Sequence, residues 1–244
     1  LLQQRERYLS GSESVQSHFL DFEGNNVSDI SPVQNLSNLP WLRFNNNNVS
    51  DISPLQNLTN LESLGFWNNN VSDLSVLQNL TNLGYLGFSG NNVSDISVLQ
   101  NLTNLTEVWF NDNSVSDISP LQNLTNLTWL RFEGNNVSDI SPLQNLTAMW
   151  ALRFSSNQVI DITPLQNMSN LIALNFSDNL VSDISSLVAN SSNFISPSWF
   201  AQYNGWEGIV MTYNNLDLTE GSQNMTDINT LIGRGVNVEY EPQN

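Results

Sequence analysis

The sequence predicts an α/β repeat solenoid, a right-handed horseshoe with a parallel β-sheet on its concave side and short 3-10 or helical turns on its convex side. Three observations predict it. A 22-residue unit recurs eight times between about residues 20 and 185, a period at which self-similarity means stacked coils. In every unit a Phe is followed three residues later by an Asn. The residues flanking that Phe vary from unit to unit while the frame around them stays constant.

Each unit opens with a short strand. Alternate strand residues share a face, so pairs two apart, such as Leu64 and Phe66 or Leu130 and Phe132, point inward. The second inward site is Phe22, Phe44, Phe66, Phe88, Phe110, Phe132, Phe154 and Phe176, an aromatic spine for the core. The Asn column runs Asn25, Asn47, Asn69, Asn91, Asn113, Asn135, Asn157 and Asn179. A carboxamide carries donors and an acceptor, so this column is expected to satisfy backbone groups where the chain leaves the strand and to bridge to the next coil. After that turn Val137 and Ile140 point inward again. Ser141 and Pro142 then read as a helix start, with Ser as the cap and Pro at the first helical position. Val76 and Val98 replace Pro in two units and are expected to loosen the start without abolishing it.

The unit is clearest as LTNLTWLRFEGNNVSDISPLQN at residues 124–145, the leucine-rich repeat pattern L-x-x-L-x-F-x-x-N-x-V-x-x-I-x-x-L. Its ending, V-S-D-I-S-P-L-x-N-L-T-N-L, resembles the repeats of the internalin family of bacterial surface proteins, over roughly residues 17–187. Similar repeats also occur in intracellular regulators of phosphatases. The internalin resemblance implies a solenoid that attaches to a protein receptor through its concave face.

Three regions are expected. Residues 1–16, with Arg5, Glu6 and Arg7, form an N-terminal segment or partial cap; residues 17–187 hold the eight repeats; residues 188–244 hold a degenerate repeat and a C-terminal cap. In the last region, 190–208 is irregular and rich in aromatics, including Phe194, Trp199, Phe200, Tyr203 and Trp206. Ile209, Met211, Asn214 and Leu216 reproduce the inward pair, the ladder Asn and the Val site. An amphipathic turn around 227–232 and a closing strand at 235–240 follow, because a terminal repeat must shield an open core end. No signal peptide is visible at Leu1, so the chain reads as a mature product or a fragment.

The outward strand positions form three columns. Before the first inward residue stand Phe19, Trp41, Ser63, Tyr85, Glu107, Trp129, Ala151 and Ala173; between the inward pair, Asp21, Arg43, Gly65, Gly87, Trp109, Arg131, Arg153 and Asn175; after the Phe, Glu23, Asn45, Trp67, Ser89, Asn111, Glu133, Ser155 and Ser177. With Trp150 at a strand's leading edge, five of the seven Trp lie near this face. Trp, Tyr and Arg dominate binding hot spots, and exposed aromatics cost solubility unless something covers them. Trp41, Arg43, Trp67, Tyr85, Trp109, Trp129, Arg131, Trp150 and Arg153 are therefore the expected ligand-binding residues. Stacking along the sheet to stiffen it is the alternative role for the aromatics.

Other signals are weaker. Asp29, Asp51, Asp73, Asp95, Asp117, Asp139, Asp161 and Asp183 recur once per coil and should form a row about 4.8 Å apart. Each is expected to accept backbone hydrogen bonds from the following turn; calcium bridging neighbouring carboxylates is the alternative, and no other cofactor is expected. Sequons such as Asn26-Val27-Ser28, Asn57-Leu58-Thr59, Asn101-Leu102-Thr103 and Asn224-Met225-Thr226 fall out of the repeat consensus, with glycosylation the other reading. His18 is the one His and Cys is absent, so no nucleophile or acid–base pair stands apart from the repeat rows, and no enzyme is expected. The formal charge of −17, without a Lys, argues against nucleic acid. No apolar run is long enough to insert in a membrane. Zero Cys rules out disulfide-stapled caps and points toward bacteria or another setting that does not rely on them.

The expected function is non-catalytic recognition of a protein ligand at a cell surface or outside a bacterial cell. Carbohydrate binding by Trp and Tyr platforms is the first alternative, with Trp41, Arg43 and Asn45 available for it. An intracellular scaffold or regulator is the second, and a structural subunit of an extracellular assembly is the third.

Overall fold

The computed structural model describes residues 19–190, 194 and 208–244. The expected N-terminal cap at 1–16, His18, and the aromatics Trp199, Phe200, Tyr203 and Trp206 lie outside the described residues. The strands are β1 (Leu20–Asp21), β2 (Trp41–Arg43), β3 (Ser63–Gly65), β4 (Tyr85–Gly87), β5 (Glu107–Trp109), β6 (Trp129–Arg131), β7 (Ala151–Arg153), β8 (Ala173–Asn175), β9 (Gly208–Val210) and β10 (Val238–Glu239). They form one parallel sheet in sequence order. This is the predicted solenoid.

The core follows the repeat frame. The seven Phe rings from Phe44 to Phe176 are fully buried, and successive members of the column stack with centroids 5.5–5.9 Å apart and planes 10–19° apart. Beside them the Asn column does the bridging expected of it. Asn69 Nδ2 donates to the carbonyls of Phe66 and Trp67 in its own coil and of Phe44 in the preceding one. Its Oδ1 accepts from the Val49 N–H at 2.9 Å. One carboxamide thus closes four backbone groups that the turn would leave unpaired, and the arrangement recurs at Asn47, Asn91, Asn113, Asn135, Asn157 and Asn179.

The convex turns are short 3-10 segments: Ser31–Val33, Ser53–Leu55, Ser75–Asn79, Ser97–Asn101, Ser119–Leu121, Ser141–Leu143 and Thr163–Asn167. Two expectations about them need correction. Ser does not cap them; the residue before it, such as Ile140, occupies the cap position without a side-chain bond. The capping group is the Asp two residues earlier, whose Oδ1 accepts the Ser N–H at 2.8 Å in Asp51, Asp73, Asp95 and Asp139 alike. Nor do the Val units start more loosely: their turns span five residues, against three in most Pro units. Because Asp fixes the first N–H in every coil, Pro is dispensable there.

The C-terminal end completes a ninth coil. Asn214 is fully buried and repeats the ladder, with Nδ2 donating to Phe176, Met211 and Thr212 carbonyls and Oδ1 accepting from Val181. Asp217 accepts the Thr219 N–H at 3.0 Å, as in the earlier coils. Helix α1 (Ser185–Asn190) replaces the 3-10 turn of the eighth coil, and α2 (Gln223–Gly233) follows the ninth. The amphipathic turn foreseen around 227–232 is therefore a three-turn helix, started by Ser222, whose hydroxyl accepts from Met225 N. It buries Ile228 and Leu231 over the last coil. Strand β10 approaches so closely that a Cβ on Gly208 would lie 2.2 Å from the Asn237 carbonyl oxygen, so that position requires Gly.

Candidate functional site

Strand register places the outward columns as predicted. Trp41, Ser63, Tyr85, Glu107, Trp129, Ala151 and Ala173 are successive cross-strand partners, and so are Arg43, Gly65, Gly87, Trp109, Arg131, Arg153 and Asn175. The nine expected binding residues share one face, but they divide into two environments.

Across β2 to β5 the face is open. A cavity of about 550 Å³ is walled by Trp41, Trp67, Tyr85 and Trp109, with Phe19 at its outer end. Trp41 is 48% exposed and meets Phe19 edge to face, ring centroids 6.4 Å apart. The floor exists because the middle column holds Gly at two consecutive strands. Above Gly87 the space is taken by Trp67 Nε1 and the Tyr85 hydroxyl, which a Cβ would meet at 2.2 and 2.4 Å. Above Gly65 a Cβ would make only ordinary contacts, the nearest to Asn45 Oδ1 at 3.4 Å, so there the cavity remains deep. Glu62 and Glu107 also line the cavity and the two glycines shape it, residues that the Trp and Arg pattern does not include. Their signal was present in the columns, as two small residues between large ones.

Electrostatically the open region is acidic. Arg43 lines it, but Asp21 and Glu23 lie 4.0 and 3.9 Å from its guanidinium, which also sits 5.8 Å from the Phe19 ring. Burial, and then the negative charge of Glu107, pushes the Tyr85 hydroxyl far above its ordinary value, so it stays a neutral phenol. Burial likewise raises the Glu107 carboxyl, with Arg131 opposing. Asn45, one of the polar residues expected to serve a sugar, is 1% exposed and its Oδ1 accepts the Trp67 N–H at 2.9 Å. It lines the cavity while holding the Trp67 backbone in place.

Across β6 to β8 the same face is filled. Trp129 is only 8% exposed and packs with Ala151 and Ala173 in a small cluster, covered by Trp109, Trp150 and Ile172. This corrects the expectation that Trp129 stands free as an anchor: Ala at the next two strands leaves a trough that the indole lies in. Trp109 continues the stack, 5.6 Å from Trp129 and 5.5 Å from Trp67, with Tyr85 edge-on at 5.3 Å. The Arg131 guanidinium sits 4.5 Å from the Trp109 ring centroid and 4.8 Å from that of Trp129, held by cation–π attraction. Arg131 and Arg153 are direct cross-strand partners, half-buried, with burial lowering both pKa values first of all. The aromatics thus stand in two settings, lining an open cavity in one region and packed into a small cluster in the other.

On the convex side the Asp row is committed to the turns. Besides the backbone N–H at Oδ1, Oδ2 of Asp29, Asp117, Asp139 and Asp161 accepts the following Ser or Thr hydroxyl at 3.0 Å. Among the described residues no group of three or more His, Cys, Asp or Glu is placed to hold a metal. The sequon residues Asn190 and Asn224 are buried, and Asn224 donates to the Ser182 carbonyl.

The repeat frame agrees with known proteins. The family model for the BspA-type leucine-rich repeat region matches in six copies, over residues 37–161 and 83–207. The chain belongs to this leucine-rich repeat family. Among solved structures it is similar to an internalin (inlF) of Listeria monocytogenes, with TM-score 0.76 and 28% identity over 90% of this chain. The chain spans 58% of that relative's length. Internalin C2 of the same organism is 34% identical with TM-score 0.71, covering 73% of this chain and 79% of its own. The plant peptide hormone receptor RGFR1, in complex with RGF2, shares the fold at 17% identity and TM-score 0.66, over 82% of this chain and 32% of its own. Comparison with curated protein sequences finds no match. The chain is thus an internalin-like leucine-rich repeat protein, with a fold that commonly serves as a protein-interaction module. Among the described residues no helix is long and apolar enough to cross a membrane.

Proposed function

We propose that the chain is a non-catalytic recognition module that binds a protein through the outer face of its sheet, at a bacterial cell surface or after secretion. The observation that carries this reading is the aromatic-walled cavity across β2 to β5. It is concave, largely apolar and edged by a few charged groups, the usual make-up of a built binding site. Trp41, half-exposed at its mouth, is the side chain a partner would cover first. Trp67, Tyr85 and Trp109 form the preformed wall, while Trp129 supports them from below the surface. Arg131, Trp150 and Arg153 extend the contact along the sheet. The internalin likeness and the peptide-bound plant receptor of the same fold support a protein ligand. The surface location rests on the internalin likeness alone.

The test is capture of surface proteins from host and neighbouring cells on immobilised protein, beside a glycan array. Trp41→Ala is expected to weaken the captured interaction by about 2 kcal/mol. Gln100→Ala, exposed on the convex side, should bind as the natural chain does. Retention of a Trp41-dependent glycan with no Trp41-dependent protein would reassign the face to carbohydrate.

A further inference from the structure

We propose that the cavity above Gly65 seats one cationic side chain, an arginine or a lysine, projecting from the protein that this face binds. The inference rests on the reading of the sheet face as a protein-binding surface and adds what the central pocket selects. Its first support is a pattern within the chain. Two of its own guanidiniums lie over rings of this face: Arg43 over Phe19 at 5.8 Å, and Arg131 between Trp109 and Trp129 at 4.5 and 4.8 Å. Both belong to the middle column. In that column the two strands between Arg43 and Trp109 carry only Gly65 and Gly87. The rings of Trp41, Trp67 and Tyr85 therefore surround a place where the chain supplies no side chain of its own.

Charge is the second support. Indole and phenol faces carry negative quadrupole potential that attracts a cation, most strongly when the site is shielded from water. Around the cavity the carboxylates of Glu62 and Glu107 line the wall. Arg43 is the one positively charged lining residue among those described, and Asp21 and Glu23 already lie against it. A guest cation therefore meets rings and two carboxylates, with Arg43 and, from the next strand, Arg131 as the opposing charges. The chain's formal charge of −17 adds a long-range field that draws basic partners and repels acidic ones. A neutral sugar would gain the rings but would add no charge to that of Arg131, which acts on Glu107 from the next strand.

The experiment uses the whole chain and two acetylated peptide amides, Gly-Arg-Gly and its citrulline counterpart, which keeps the shape and removes the charge. Binding is read by titration of intrinsic tryptophan fluorescence, with cellobiose as a neutral sugar probe. The arginine peptide is expected to saturate, at least tenfold more tightly than the citrulline peptide, and to weaken as salt is added. Glu107→Gln should weaken it several-fold. Gly65→Arg places the chain's own guanidinium in the cavity and should abolish binding with an unchanged or higher melting temperature; Trp41→Ala, at an exposed position, provides the same loss should Gly65→Arg not fold. Equal affinity for the two peptides, no saturation by either, or Trp41-dependent saturation by cellobiose alone would overturn the proposal. If the arginine peptide fails while capture of a surface protein still depends on Trp41, the cation pocket falls and the protein-binding face stands. If the peptide binds while capture ignores Trp41, the reverse holds.

Discussion

Between β2 and β5 the outward columns enclose a cavity of about 550 Å³, whereas between β6 and β8 the same columns are filled, with Trp129 lying over Ala151 and Ala173. The backbone frame is shared, so the difference comes from the order of side-chain sizes along the columns. Two Gly in succession let the Trp67 and Tyr85 rings settle over Gly87 and leave a hollow above Gly65. Ala beneath a ring from its own column gives a second, small core on the outside of the sheet. An aromatic on this face is therefore an open wall or a buried brace according to what the next two coils place beside it.

The sharpest way to break this contrast is to remove one Trp from each half. Trp129→Ala should lower stability by about 3 kcal/mol, in the range of large-to-small core changes. Trp41→Ala should stay within about 0.5 kcal/mol, as exposed positions do. Chemical denaturation of both variants measures this, and equal losses would dissolve the distinction.

The ladder provides the control. Asn69→Ala and Asn135→Ala, one from each half, should each cost about 1–3 kcal/mol through buried backbone groups left unpaired. Equal losses in denaturation would confine the difference between halves to the outer columns; a loss confined to one half would place it in the frame instead.

Titration offers a smaller signal. Burial raises the carboxyl of Glu133 in the filled half, where its Oε2 is buried without a partner, as it raises Glu107 in the open half. A carboxyl that holds its proton more tightly when folded adds stability as pH falls from its raised value toward the ordinary ~4.3. Glu133→Gln should therefore melt above the natural chain at neutral pH, with the two converging on acidification. The convex carboxylates run the other way. Asp29, Asp73, Asp95 and Asp139 are lowered chiefly by a backbone hydrogen bond, so their contribution is present above ~3.9 and is lost as pH falls through their lowered values. A gap between the two melting curves that stays constant with pH would remove Glu133 from this account.

The smallest expected effect is that of calcium. Because the convex carboxylate oxygens are already hydrogen-bonded to the turns, melting with chelator and with millimolar calcium should coincide. A native-state ligand would separate the curves by mass action, and a clear rise with calcium would restore the bridged row.

Much of this was legible in the sequence for a definite reason. A strict period makes each position's environment repeat, so Phe66 and Asn69 announce spine and ladder, and Asn214 could be recognised in a coil that had lost most of its consensus. The side of the sheet each residue faces was equally legible from alternation. Depth was not. Trp129 and Trp41 occupy the same column and look alike on paper, but one is covered by Trp150, which projects from a leading edge outside the columns. The cavity was missed because it is made by what Gly65 and Gly87 lack. Ser141 reads as a cap because Ser and Asp both suit that task, and only the bond to Asp139 decides between them.

The ladder has a consequence for how such a surface changes over time. Each Asn joins its coil to the one before it, and the sheet and Phe stack likewise join neighbours, so one coil's worth of chain can be gained or lost without disturbing coils farther away. A coil added near β8 would lengthen the braced half and leave the hollow as it is. The same insertion between β3 and β4 would separate Gly65 from Gly87 and pull Trp67 away from Tyr85. Gene duplication of a single repeat can thus reshape this face in one step, and its position along the array decides whether the hollow is kept or lost.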